Sequence, residues 1–208
     1  MKKFSPLLAL LLGLTFISCD PNLTAAGAEG ILINGIVWAP SNTAITGGFY
    51  NSQHFSNIWY QWNNGLKWMR LDETDPITPS TWNTVMPSGT WNDANDMCPT
   101  GWRTPTKAEL ETLLDATKVQ CTSHTMNGVP GARFIDLTGS RAMLFLPISG
   151  CLNLNTGVLE TTDSGYWSST PVPGTQEAWA LDIGRYGGLV MMQQSRFTWG
   201  FSLRCVKK

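Results

Sequence analysis

The hydrophobic and polar positions of this chain fall into blocks of quite different character. Lys2 and Lys3 precede an apolar stretch from Leu7 to Phe16. That run is shorter than the roughly 20 residues a membrane-spanning helix needs, so it reads as a signal segment. Ile31 to Trp38 predicts a first strand, with Asn34-Gly35 as a bulge or tight turn. Gly47 to Gly89 has no clear period although it carries Trp59, Trp62, Trp68 and Trp82. Those aromatics admit two readings, core packing or exposed stacking platforms, and core is the commoner fate of such residues.

Two helices are expected next. Thr90 can cap a short one carrying Trp91, Ala94 and Cys98, with Asp93 near its positive end. Thr106-Lys107-Ala108-Glu109 is a capping box, and Leu110, Leu113 and Leu114 form the buried face of the helix it opens. Ala142 to Ile148 predicts a strand followed by a turn at Gly150. Strands are also expected at Trp179 to Ile183, Leu189 to Gln194 and Phe201 to Val206, divided by Gly184, Gly187-Gly188 and Gly200. No repeat of 20–50 residues is present, which excludes solenoids and propellers.

Composition narrows the class. The chain has 208 residues, enough for one domain with a full core, and only 14% are charged, which excludes a disordered chain or a coiled coil. Its formal charge of −1 offers no basic field for phosphates, so nucleic acid is not an expected partner.

Phe16-Ile17-Ser18-Cys19 resembles a bacterial lipobox, in which the cysteine is acylated and becomes the mature N-terminus. The expected organisation is a lipoprotein signal peptide at 1–18, a tether at 19–30 and one domain at 31–208. Removing the signal leaves 12 basic against 15 acidic residues, a net charge of −3. Multiple acylation holds a protein on a membrane far more firmly than a single chain. The expected location is the cell envelope, lipid-anchored, at the outer membrane. In an oxidising compartment Cys98, Cys121, Cys151 and Cys205 are disulfide candidates, with three possible pairings. The chain has only two histidines, His54 and His124, and no Cys-x-x-Cys, so a cysteine/histidine zinc site is poorly supported.

Three segments, CPTGWRTPTKAELETLL (Cys98 to Leu114), GYWSST (Gly165 to Thr170) and GFSLRCVKK (Gly200 to Lys208), together resemble the Fibrobacter succinogenes major paralogous domain family. NGIVWA near residue 35 and NGVPGARF near residue 130 are similar to its connecting pieces. That family is in turn similar to the C-type-lectin-like fold of formylglycine-generating enzymes. The resemblance implies an α+β fold: two helices with small antiparallel sheets, loop-rich, first and last strands adjacent. It implies a disulfide between Cys98 and Cys205, and with it one between Cys121 and Cys151.

Candidate chemistry is sparse. An oxidase of the formylglycine-generating kind needs two nearby reactive cysteines, and Cys205 occupies the position of a structural one. Trp91-Asn92-Asp93 has the letters of the calcium tripeptide of sugar-binding lectins, but it opens a predicted helix, the wrong end for a cation. His54 and His124 read as surface residues. Asp163 and Asp182 are acid-pair candidates that nothing in their sequence surroundings singles out. No catalytic set, metal site or cofactor is expected.

The C-terminal segment is the candidate binding face. Alternation buries one side of a strand, so Tyr186, Leu189, Ser195, Phe197 and Trp199 are expected to gather on an exposed rim. The reading is a membrane-tethered, non-enzymatic protein that binds a protein or glycan ligand; a structural or adhesive envelope protein is the alternative. Some surface lipoproteins of the same resemblance are targets of diversity-generating retroelements. The 13 asparagines all fall in residues 1–155 and none in the last 53, the depletion such rewriting would leave. Tyr186, Leu189, Ser195, Phe197 and Thr198 are compatible with it; Met191, Met192, Gln193, Gln194 and Trp199 are not.

Overall fold

The structure, a computed structural model, describes residues 23–24, 29–44, 48–53, 56–65, 67–69, 89–153, 158–184 and 189–208. The apolar run, the Cys19 lipobox, most of the tether, His54 and Tyr186 lie outside these residues.

Short antiparallel strands make up 48% of the structure and helix only 8%. Asn34 and Gly35, with φ of 45° and 79°, close a two-residue hairpin between Ile31–Ile33 and Ile36–Trp38. The twist of such a turn matches that of the strands it joins. Val206–Lys207 pairs with this hairpin at Trp38 and with Trp102–Arg103 on its other side, so the first hairpin and the last strand are neighbours. A second sheet stacks Met143–Pro147, Val129–Asp136 and Val119–Met126, the last two joined by a second Asn-Gly turn at 127–128. A third, five-stranded sheet runs Val158–Glu160, Cys151–Asn153, Gly200–Phe201, Ile58–Gln61 and Lys67–Met69. The fourth is a meander of Ser164–Pro171, Glu177–Ile183 and Val190–Arg196. Leu23–Thr24 also pairs with Phe49–Tyr50.

The meander is the middle layer. Its Tyr166, Leu181 and Ile183 pack into one core with Leu110, Leu113, Phe134, Leu144 and Trp38. From the opposite face Trp167, Ala178 and Ala180 pack with Ile58, Tyr60, Trp62, Phe197 and Phe201. Gly165 permits the second contact: a Cβ there would lie 2.4 Å from the Phe201 ring. A third cluster of Ala39, Phe49, Trp102 and Cys205 surrounds the disulfide.

The α+β, C-type-lectin-like expectation of two helices is therefore corrected to a mostly β fold of several small antiparallel sheets. The described residues hold one α-helix, Lys107–Glu111, continued by a 3-10 turn at Thr112–Leu114. Its capping box forms as expected: Thr106 Oγ1 accepts from the Glu109 amide and Glu109 Oε2 from the Thr106 amide. Arg103 grips both Glu109 oxygens at 2.6 and 2.7 Å. The helix expected from Thr90 is only a 3-10 turn, Asp93–Asn95, capped by Asn92. Asn and Asp side chains there compete with helix hydrogen bonding. Asp96 Oδ1 takes the Cys98 amide and its Oδ2 the Thr104 amide. Pro99 also drives the residue before it out of the helical region. Similarly, Phe201 to Val206 is not one strand, because Gly200–Phe201 and Val206–Lys207 belong to different sheets. No helix among the described residues is long and apolar enough to cross a membrane.

Cys98 and Cys205 form the implied disulfide across 107 residues. On a chain-entropy account this constrains the unfolded state by ~5 kcal/mol. The implied Cys121–Cys151 bond is absent. Cys121 is an exposed residue of the second sheet, whereas Cys151 is buried in the third.

Candidate ligand-binding face

The expected rim does not form. Leu189 is 60% exposed, but it sits at the Gly184 end of the strand Val190–Arg196, while Phe197 and Trp199 follow the other end. Seven residues of strand separate these ends by about 20 Å. Ser195 lies opposite Ala178 and is buried. Phe197 is fully buried, its ring stacked on Trp62 at 4.2 Å and 11°. Trp199 is half-buried against the second core, 5.9 Å from Phe201. One-sided burial was the wrong premise, because this sheet has a core on each face. With Ser195 and Phe197 interior, they also leave the set of positions that retroelement rewriting could vary freely.

The indoles of this region are core elements with polar handles. Trp62 Nε1 donates to Ser168 O at 2.8 Å, Trp167 Nε1 to Tyr60 O at 2.8 Å and Trp59 Nε1 to Gly150 O at 2.9 Å. Trp91 meets Trp62 edge-on at 5.5 Å and donates to Asp93. The crevice among Tyr60, Trp62, Trp91 and Met97 measures about 10 Å³, room for one water at most.

The larger concavity lies beside the stack. Gly174, Thr175, Gln176, Glu177 and Arg196 line an open depression of about 550 Å³. Glu177 and Arg196 face each other across the ladder, and the Phe197 amide donates to Gln176 O at 3.0 Å. The polar lining is thus held by backbone directly against the Phe197–Trp62 stack. Sequence reasoning passed over this loop because it weighed aromatic residues; Pro173-Gly174 between two strands was the available signal.

Three buried polar side chains brace the fold. Arg204 Nε donates to Asn42 Oδ1 at 2.8 Å, and its terminal nitrogens donate to Ala39 O, Gln53 O and Phe145 O. Burial pulls this guanidinium down to about 10. Tyr166 nearby donates to Pro147 O, and desolvation pushes its phenol up to about 12. Asp136, without solvent exposure, accepts from the Asn34 amide at 3.0 Å and from Thr138 and Ser140. Those bonds, the Asn34 amide foremost, hold its carboxyl well below the usual range.

Of the acid candidates, Asp182 accepts from Gln193 at 2.7 Å, while Asp163 lies with Cys151 and Glu160, a set able to hold a metal. His124 is half-buried, edge-on to Phe145 at 6.0 Å.

A family model described as the Lcl C-terminal domain matches residues 57–207. The chain belongs to that family, which groups it with surface or envelope proteins. The match is consistent with the resemblance to a Fibrobacter-type paralogous family. No curated protein and no solved structure matches the chain.

Proposed function

We propose that this chain is a lipid-anchored protein of the outer membrane that binds a protein or glycan ligand and catalyses no reaction. The observation that carries the reading is the polar depression of about 550 Å³ at Gly174–Glu177 and Arg196. It combines a cation, an anion and an amide on a loop backed by a disulfide-braced scaffold, the arrangement in which loops serve recognition. The lipobox-like Phe16-Ile17-Ser18-Cys19 supplies the anchor in this reading.

Binding of the full chain to arrays of immobilised glycans and envelope proteins tests it. Arg196→Ala and Gln176→Ala should weaken the strongest interaction at least tenfold while leaving the melting temperature unchanged, both residues being exposed. Binding that survives both substitutions would reject this face. Failure to bind anything would favour a structural envelope role instead.

A further inference from the structure

We propose that Cys151, Glu160 and Asp163 form a binding site for a divalent metal of the zinc class, three protein ligands with a fourth position open to water. Their ligand atoms all lie within 4.8 Å of one another. Cys151 Sγ is 3.7 Å from Asp163 Oδ1 and 3.9 Å from Glu160 Oε2. In a tetrahedral zinc site with metal–sulfur and metal–oxygen bonds of ordinary length, a sulfur and an oxygen ligand are about 3.5 Å apart. The two sulfur–oxygen separations need to close by only a few tenths of an ångström around an ion, and the two carboxylates lie within 4.8 Å of each other.

The backbone prepares this convergence. Cys151 and Glu160 are directly paired across the ladder of the third sheet, and Asp163 immediately precedes the first strand of the meander. Two glycines let these elements approach. At Gly150, φ is +83° and a Cβ would lie 2.7 Å from Glu160 O. At Gly184 a Cβ would lie 2.7 Å from Thr162 O and 3.2 Å from the Asp163 Cα. Any larger residue would push the acids away from the thiol.

The side chains are also aimed. Asn153 Nδ2 donates to Glu160 Oε1 at 3.0 Å, which leaves Oε2 turned toward Cys151. Hydrogen-bonded carboxylates of this kind are what orients ligands in metal sites. Cys151 is 1% and Asp163 4% exposed, while half-buried Glu160 gives an ion its way in. One thiol and two carboxylates suit a borderline cation better than calcium, which takes oxygen alone. On binding, the Cys151 S–H bond breaks, its proton passes to water and a metal–thiolate bond forms. The metal stays divalent and no electrons are exchanged.

Cobalt(II) titration of the full chain tests the site. One equivalent should bind and give a thiolate-to-metal charge-transfer band, and zinc(II) should displace it. Cys151→Ser should abolish the band, and Glu160→Gln should weaken binding at least tenfold. Cys121→Ser, which removes the exposed thiol, should leave both unchanged. If Cys151→Ser does not fold, Glu160→Gln and Cys121→Ser decide the matter alone. Absence of the band in the wild type, its loss in Cys121→Ser, or full affinity in Glu160→Gln would overturn the proposal.

Discussion

Phe197 lies flat on Trp62, the two rings 4.2 Å apart and both fully buried beneath the meander. A side chain expected at a binding rim is thus part of the second core. Phe197→Ala opens a cavity costing about 3–5 kcal/mol. In a domain of this size that lowers the melting temperature by on the order of 10 °C. Calorimetry checks this against Arg196→Ala, one residue away and exposed, which should shift it by less than about 2 °C.

Asp136 makes stability depend on acid pH. Its folded pKa lies below its unfolded value, so the unfolded state binds more protons and stability rises with pH. The contribution is complete above the ordinary aspartate value near 4 and disappears as pH falls toward the depressed folded value. Urea unfolding at several pH values should show a steep acid loss in the wild type. Asp136→Asn should start less stable at pH 7 and lose less between pH 4 and 2.

Arg204 is a cation held among four neutral acceptors from three segments of the chain. Arg204→Met removes the cation but leaves buried carbonyls unpaired, at ~3 kcal/mol or more in total. Arg204→Lys should recover only part of this, since an ammonium lacks the planar fork that reaches all four. Denaturant midpoints at unchanged m-value measure both effects.

Thiol chemistry separates the cysteines. Peptide mapping without reductant should find Cys98 joined to Cys205, and an alkylating agent should label Cys121 in the folded protein. A Cys121–Cys151 peptide would contradict the placement of these residues in separate sheets. Reduction of the Cys98 bridge should lower stability by up to about 5 kcal/mol.

Local signals were legible where local physics decides the outcome. The Thr106 capping box and the Asn34-Gly35 turn form where their residue types require, and Gly150 takes the positive φ open to glycine although no regular turn follows the strand. The helix from Thr90 was illegible because its cap and its breakers are side chains of the same few residues, Asn92, Asp96 and Pro99. The longest hairpin among the described residues, Val119 to Asp136, hid behind a polar strand and a Pro130-Gly131 pair that argues against a strand. Only packing reveals why Gly131 belongs there: a Cβ would lie 2.4 Å from Leu146 O. The candidate site was least legible. Whether Ser195 and Phe197 face water depends on a second core beyond the meander, and strand alternation carries no information about what covers a face.

The Cys98–Cys205 bond also changes what a cut in the chain would do. It turns residues 98–205 into a covalent ring that contains the whole meander and the exposed loop at Gly174. A protease nicking that loop would open the ring once and release nothing. Both pieces would stay fastened through the bridge, and the sheets around them would keep their partners. In an oxidising, protease-rich setting, one clip at this exposed loop would leave an assembled protein, and two clips within the ring would be needed to shed a fragment from it.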